Sequence, residues 1–299
     1  MQFFDSLLGT EMMFSLGMLY LMLGMASLGV GLGTRARRHS KLRLQVQAWW
    51  WIFPVLTVSL LLHPAGAMLL VLLIGWLALR ELSPFAGPGF APAAVAVFAA
   101  TLLSTFFLPR TADILLPLAI LPLLAHAVRA HGGPALPWLL WLMLCYSLSF
   151  LPRYDLLPLA PHVRLSWLFY LYTLTALNDV AQFISGTLFG RHRVAPGISP
   201  NKTWQGLAGG MAVTLLLSLT LGRYLHLADA AHLAAYAVLL SLGGFAGDLM
   251  FSAAKRSLGI KDFSQLIPGH GGILDRADSL VVTAPLLYFL LTHFKGNLA

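Results

Sequence analysis

Apolar runs of about twenty residues recur along the whole 299-residue chain, and they constrain the fold more than any other feature. A helix of that length spans the hydrocarbon core of a bilayer, which is roughly 30 Å thick. Hydrophobic residues make up 58% of the chain, charged residues make up 10%, and the mean hydropathy is +0.79. A soluble domain of this composition would have too little polar surface to cover its core. The sequence therefore predicts an all-α, polytopic integral membrane protein that is embedded in the lipid bilayer.

The polar breaks between these runs predict about ten transmembrane helices, with nine as the alternative count. The approximate ranges are 11–32, 47–63, 66–80, 91–108, 113–129, 135–151, 165–189, 204–222, 232–254 and 277–294. We expect two regions, an N-terminal bundle of membrane helices over 1–160 and a C-terminal membrane region over 161–299.

The positions of Lys and Arg predict how the chain is oriented. With ten spans, fourteen of the nineteen basic residues fall on one face, together with the loops 190–203 and 255–276. Loops rich in basic residues remain in the cytoplasm, so we expect both loops there and a polar site that faces the cytoplasm.

The net charge of +8 is spread over membrane edges rather than over one surface, so no nucleic acid is expected as a partner.

Asp179 and Asp248 lie well inside predicted spans, away from the span ends. A carboxylate in a membrane is costly unless it has a partner, so both are candidates for a functional site. On a helix, Lys255 and Arg256 would lie on roughly the same face as Asp248. A structural ion pair between Asp248 and one of these two residues is therefore the alternative interpretation.

Asp275 and Asp278 are three residues apart at the start of the last predicted span and would share one helix face. Two such carboxylates repel each other unless a proton or a divalent cation lies between them. Mg²⁺ suits this position because it takes one or two carboxylates and completes its shell with water and phosphate oxygens. The alternative is that both residues complement the dipole of the last helix.

The two polar loops have the composition of an anion-binding site. The glycine-rich segment "PGHGG" (268–272) could bind a phosphate through its N–H groups, and basic residues flank it on both sides. The other loop, "GRHRVAPGISPNKTWQG" (190–206), carries Lys202 and further basic residues, and Trp204 could either stack on a base or lie at the membrane interface. Bound phosphates beside a metal site are typical of phosphoryl or nucleotidyl transfer.

The stretch "SAAKRSLGIKDFSQLIPGHGGILDRAD" (252–278) closely resembles the signature of the phosphatidate cytidylyltransferases, the integral-membrane CDP-diacylglycerol synthases. The stretch "VAPGISPNKTWQG" (194–206) resembles a second motif of that family. The resemblance covers about 178–278 and makes the C-terminal region the catalytic one. It implies transfer of CMP from CTP to phosphatidate, with release of pyrophosphate and a requirement for Mg²⁺. It also implies an inner-membrane location and a second cation such as K⁺. A homodimer is possible under this resemblance.

Matched position by position, the resemblance implies specific roles for residues of this chain. The implied catalytic residues are Asp248, Lys255, Arg256, Lys261, Asp262, His270, Asp275, Arg276 and Asp278. The implied substrate-binding residues are Asp179, Ser199, Lys202, Thr203, Trp204, Ser252, Gly271 and Gly272. The implied metal ligands are Asp248, Asp275 and Asp278.

The segment "NDVAQF" (178–183) departs from the family pattern. Val180 stands where the family usually has a hydroxyl residue, Gln182 precedes the aromatic position, and Phe183 stands in place of tyrosine. This departure bears on which lipid phosphate accepts the nucleotide.

Two other functions stay open, a CTP-dependent polyprenol kinase and an ion-coupled membrane transporter that uses Asp179 and Asp248.

Overall fold

The computed structural model describes residues 8–33, 41–107, 112–130, 133–267, 269 and 271–293. In this part of the chain, ten helices of 14 or more residues lie close to the ten predicted ranges. They are α1 Thr10–Gly33, α2 Lys41–Leu61, α3 Ala65–Leu82, α4 Phe90–Phe107, α5 Ala112–Arg129, α6 Ala135–Leu148, α8 Pro161–Phe189, α9 Trp204–Tyr224, α10 Ala230–Ser257 and α12 Leu280–His293. Two short helices, α7 Phe150–Arg153 and α11 Leu274–Ala277, and two 3₁₀ turns, Ser83–Phe85 and Tyr154–Leu156, complete the helical structure of the described ranges.

Six segments within the described residues are long and apolar enough to cross a membrane. They are Thr10–Leu32, Arg43–Leu61, Ala65–Phe85, Ala135–Leu156, Trp204–Tyr224 and Ala230–Ser257. These segments agree with an all-α, multi-pass membrane protein. The ten predicted spans would require four further helices to cross the membrane, namely α4, α5, α8 and α12. Their crossing remains a prediction.

The core of the protein surrounds α6, whereas α1 lies at the periphery. Of the apolar window within Ala135–Leu156, 78% is buried, and the Trp141 indole N–H donates a hydrogen bond to the Ala94 carbonyl of α4 at 2.9 Å. For Thr10–Leu32 the buried share is 11%, because side chains such as Leu28 point outward. Outward apolar side chains are what a lipid-facing helix requires. The buried cluster includes residues on both sides of position 160, and the predicted division there stays a prediction.

Close helix contacts bring the polar residues of α8 towards α9 and α10. A Cβ atom added to Gly210 would lie 2.2 Å from Cγ of Gln182, and one added to Gly206 would lie 2.9 Å from the backbone oxygen of Gln182. Glycines, which have no side chain beyond a hydrogen atom, allow two helix backbones to approach this closely. One turn earlier in α8, Oδ1 of Asn178 accepts hydrogen bonds from the hydroxyls of Thr214 at 3.0 Å and Ser241 at 2.7 Å. Asn178 therefore joins α8, α9 and α10 at one point.

A short β-hairpin connects α8 to α9. Strand β1, Arg193–Ala195, pairs antiparallel with β2, Ser199–Thr203, so that Arg193 lies opposite Thr203. The all-α prediction omitted this element, because two strands of three and five residues have no hydropathy pattern of their own. The hairpin matters for function because β2 carries Lys202.

Candidate active site

A cavity of about 170 Å³ lies between α8, α9, α10 and β2. Its polar side is formed by Asp179, Gln182, Ser199, Asn201, Lys202 and Asp248, and its apolar side by Phe183, Leu207 and Phe245. Five of the predicted site residues line it, namely Asp179, Ser199, Lys202, Thr203 and Asp248. Residues that are up to 69 positions apart in the chain therefore form one site.

An ion pair between Lys202 and Asp248 dominates the polar side of this cavity. Nζ of Lys202 lies 2.7 Å from Oδ2 of Asp248, and the Ser252 hydroxyl, one helical turn further along α10, donates to Oδ1 at 3.1 Å. The same ammonium group lies 4.3 Å from the centre of the Phe245 ring. Asp248 is thus paired, but with Lys202 rather than with Lys255 or Arg256. Its side chain keeps 33% of its surface exposed, so the pair is accessible from the cavity.

Asp179, Asp248 and Asp278 come from three different segments and lie close enough to repel one another electrostatically. Asp278 directly follows α11 and is buried, and its Oδ1 accepts the N–H of Ser279 at 2.8 Å. The positive charges of Lys202 and Arg276 partly offset the charge of Asp179. The structure therefore concentrates negative charge at one place in an apolar protein, where a cation would be stabilised.

Asp275 has different surroundings, although it is only three residues from Asp278. Its Oδ1 forms a buried ion pair with Nζ of Lys255 at 2.5 Å. Its Oδ2 accepts the backbone N–H groups of Phe263 at 3.1 Å and Gly272 at 2.9 Å. Both carboxylate oxygens of Asp275 are therefore engaged within the protein. The role of Asp275 as a metal ligand stays a prediction.

The glycines of the signature are packed against acidic side chains. Gly271 has φ = +82°, in the left-handed region, and a Cβ there would lie 2.7 Å from Oδ2 of Asp275. Its carbonyl accepts the N–H of Ile267 at 2.8 Å. The N–H of Gly272 is already bonded to Asp275. Phosphate binding by these glycines stays a prediction, and His270 lies outside the described residues.

The hairpin is held in place by side chains at the start of α9. Thr203 caps this helix, since its hydroxyl accepts the N–H of Gly206 at 3.0 Å, and caps of this kind typically contribute about 1 kcal/mol. Oε1 of Gln205 accepts the N–H groups of Arg191 at 3.0 Å and His192 at 3.1 Å. Trp204 is 57% exposed, which is compatible with either of its two predicted roles.

Arg256 links the two polar loops through backbone atoms. Its Nε donates to the Ile198 carbonyl of the hairpin at 3.1 Å, and its Nη1 donates to the Ile260 carbonyl at 3.2 Å. The remaining basic and acidic residues of the predicted set, Lys261, Asp262 and Arg276, are exposed at the same end of the protein. The structure thus joins the two loops, as the sequence analysis expected.

Glu81 and Phe245 are among the residues of this region that the sequence did not reveal. Glu81, on α3, accepts hydrogen bonds from Ser264, Ile273 and Leu274. An acidic residue at the end of an apolar segment was a signal for it, but nothing in the sequence indicated its partner. Phe245 forms part of the cavity wall, and a phenylalanine inside an apolar helix carries no such signal.

Within the described ranges, no group of three or more His, Cys, Asp or Glu side chains has the arrangement of a ready-made metal site. Mg²⁺ does not need one, since one or two carboxylates together with substrate phosphates and water complete its shell. Asp248 and Asp278 repel each other, and a cation between them would offset that repulsion. Their role as metal ligands stays a prediction, as for Asp275.

Comparisons with known proteins identify the family of this chain. The model of the cytidylyltransferase family matches residues 43–294. The Escherichia coli protein YnbB, described as uncharacterized, is 31% identical over 276 residues, which are 86% of this chain and 89% of that protein. A Staphylococcus epidermidis phosphatidate cytidylyltransferase is 39% identical over 128 residues, 42% of this chain and 49% of that protein, and a Staphylococcus aureus one is 38% identical over the same length.

The chain therefore spans about half the length of the relatives that carry an enzyme name, and nearly the whole length of the E. coli relative. The family match extends over most of the chain, from α2 to the end of α12. Together with the clustered carboxylates and lysines, it identifies the protein as a nucleotidyltransferase that belongs to the cytidylyltransferase family.

Proposed function

We propose that this protein is a phosphatidate cytidylyltransferase, which transfers CMP from CTP to phosphatidate and yields CDP-diacylglycerol and pyrophosphate. We propose further that it resides in the inner membrane with its cavity open to the cytoplasm. The observation that carries the proposal is the cavity between α8, α9 and α10, in which the Lys202–Asp248 pair lies beside Asp179. Family membership and the names of the staphylococcal relatives support it.

The acceptor phosphate is largely anionic at neutral pH, so the reaction needs no strong base. It needs charge neutralisation and an in-line approach to the α-phosphorus of CTP. Lys202 is well suited to neutralise a phosphate, because its ammonium group already lies in the cavity beside an apolar ring. Lys261 and Arg276 are exposed at the same end and would hold the triphosphate. His270 would donate a hydrogen bond to a phosphate rather than remove a proton.

Asp248 and Asp278 would hold the Mg²⁺ ion that the family resemblance implies. Their mutual repulsion supports this assignment, because a cation between them removes an unfavourable charge pair. The chemistry supplied by the bound ion is neutralisation of the phosphate oxygens and of the charge that develops on pyrophosphate. Asp179 would then be a third carboxylate near this ion, and a second cation such as K⁺ would offset its negative charge.

A lipid acceptor is supported by the uneven lining of the cavity. Phe183 and Leu207 form an apolar wall opposite the charged residues, and Phe183 is 54% exposed towards the surroundings of the protein. A lipid phosphate needs such a combination, since its headgroup is charged and its acyl chains must remain in an apolar phase.

The test is an assay of the purified protein in mixed micelles with α-labelled CTP, phosphatidate and Mg²⁺. We expect CDP-diacylglycerol and pyrophosphate in equal amounts, and we expect Lys202→Met to lower kcat/KM at least about 100-fold. Formation of CDP and a phosphorylated polyprenol would instead identify a kinase. CTP-independent ion flux in proteoliposomes, without any CDP-lipid, would identify a transporter.

A further inference from the structure

Glu81 is a buried carboxylate that the proposed mechanism does not use. It lies in the last turn of α3, in the N-terminal half of the chain, and is 6% exposed. The C-terminal end of a helix carries a partial negative charge, so a carboxylate is disfavoured there. Burial in an apolar protein disfavours the charge further. A group in such a position needs strong compensating contacts.

These contacts come from the signature segment nearly 200 residues further along the chain. Oε1 of Glu81 accepts the Ser264 hydroxyl at 2.6 Å and the N–H of Ile273 at 2.8 Å. Oε2 accepts the N–H of Leu274 at 3.0 Å. The two N–H groups lie at the start of α11, on the residue before it and on its first residue. Hydrogen bonds to an ionised acceptor are stronger than bonds between neutral groups.

The segment between Phe263 and Leu274 is thus attached to two carboxylates. Asp275 binds its N-terminal part through the N–H of Phe263 and its C-terminal part through the N–H of Gly272, and also pairs with Lys255. Glu81 attaches the same segment to α3 from the other side. Gly272 lies between the two, since a Cβ there would be 2.5 Å from both oxygens of Glu81.

This arrangement determines where the last part of the signature lies. Helix α11 contains only Leu274–Ala277, so it cannot hold its own position as a longer helix would. Asp275 lies on it, and Asp278 follows it directly, beside Asp248 and Asp179. A shift of α11 would therefore move the carboxylates with it. In transfer reactions, a displacement of about 1 Å can lower the rate roughly 100-fold.

We propose that Glu81 is a positioning residue for nucleotidyl transfer, which holds Ser264 and the backbone of residues 273–274 so that Asp275 stays at Lys255 and Asp278 stays beside Asp248. The catalytic consequence rests on the proposed function, whereas the attachment of the segment does not. Glu81 touches no substrate in this proposal and acts through α11 alone.

The test compares wild-type protein with Glu81→Gln, which keeps the size of the side chain but has one acceptor oxygen instead of two. We expect kcat to fall about 10- to 100-fold while KM for CTP changes less than about threefold, since the residue acts on geometry and not on CTP binding. Hydrogen exchange at Ile273 and Leu274, measured by mass spectrometry without substrates, should become roughly tenfold faster. The melting temperature in detergent is measured in parallel.

Two further variants keep the test decisive. Ser83→Ala is the matched control, because the Ser83 hydroxyl donates only to the Leu79 carbonyl of the same helix end, and we expect it to behave as wild type. Ser264→Ala removes one of the three donors to Glu81 and should lower kcat by a smaller factor. Combined with Glu81→Gln it should add almost nothing, since both act through one contact.

Unchanged exchange at 273–274 in Glu81→Gln would overturn the proposal, and so would a fall in activity that merely follows the loss of folded protein. Additive effects of Glu81→Gln and Ser264→Ala would overturn it as well. If the wild-type protein transferred no nucleotide to any lipid acceptor, the proposed function would fail. The exchange measurement would then still decide whether Glu81 holds the segment.

Discussion

Asp275 and Asp278 have the same side chain and are separated by two residues, yet their carboxyl groups have opposite electrostatic surroundings. Asp275 is neutralised by Lys255 and by two backbone N–H groups. Asp278 is buried beside Asp248 and Asp179. Replacement of each by asparagine should therefore affect stability in different directions, which separates a structural from a catalytic role.

Asp278→Asn should lower kcat at least about 100-fold, because it removes a charge that would hold Mg²⁺ or its hydration shell. Its melting temperature in detergent should be equal to or higher than that of wild type, since the substitution relieves repulsion between buried carboxylates. Turnover and thermal unfolding are measured on the same preparation. Near-normal turnover would remove Asp278 from the metal site.

Asp275→Asn should also abolish most activity, but with a clear loss of stability. The substitution leaves the ammonium group of Lys255 buried without a counter-charge, and breaking a buried pair in this way typically costs about 3–5 kcal/mol. Asp278→Asn is the matched control, since it is the same chemical change three residues away. A melting temperature of Asp275→Asn equal to that of wild type would contradict the structural role of this pair.

At the scale of elements, helix α8 contributes both the carboxylate of Asp179 and Phe183, which belongs to the apolar side of the cavity. Val180 is half-buried and Phe183 lines the cavity, where the family usually has a hydroxyl residue and a tyrosine. The structure therefore places at least one of the two departures in contact with the space that a substrate would occupy. This position favours an effect on the acceptor over a general effect on the chemistry.

Val180→Ser combined with Phe183→Tyr should change the specificity constant for lipid acceptors roughly 5- to 30-fold, the worth of one or two hydrogen bonds. The affinity for CTP should barely change. Kinetics with several lipid phosphates measure the effect. Phe189→Tyr is the control, because Phe189 is exposed on the same helix and is not among the residues that line the cavity. Lost stability with unchanged acceptor ratios would show that the two positions only serve packing.

At the scale of the whole molecule, the β1–β2 hairpin and the 258–274 segment lie on the same side of the protein. Arg256 bonds to carbonyls of both, and Lys202 of the hairpin pairs with Asp248 of α10. Whatever the number of spans, the two loops must therefore face the same compartment. A crossing by both α9 and α10, which are long and apolar enough for one, would place the turn between them in the other compartment.

Gly197→Cys and Gln265→Cys, each in a Cys145→Ala background, should react with a membrane-impermeant thiol reagent only from the cytoplasm. Both positions are exposed, and Cys145, the only cysteine of the chain, is buried. Ala230→Cys, at the start of α10, is the control and should react only from the opposite side. Labelling of Gly197→Cys and Gln265→Cys from different sides would rule out a single site.

Much of the architecture follows from hydropathy alone, because a bilayer imposes one simple requirement on every segment that crosses it. Backbone polar groups must be satisfied within the segment, so apolar runs of sufficient length become helices. For this reason the ten predicted ranges match ten helices of the described chain. The polar residues of the C-terminal region were equally visible, since charge is rare in so apolar a sequence.

The partners of those charges were decided only by the tertiary structure. Helical spacing suggested Lys255 or Arg256 for Asp248, but the hairpin brings Lys202 to it, and Lys255 turns to Asp275 instead. Nothing local could reveal that Glu81 binds a segment nearly 200 residues away. Hydrophobicity and helix formation depend on neighbouring residues in the chain, whereas ion pairs depend on distances of a few ångströms that arise only when helices pack. The sequence by itself thus indicated polar residues from which a site could be built, and the packing of α3, α8, α9 and α10 decided which of them meet.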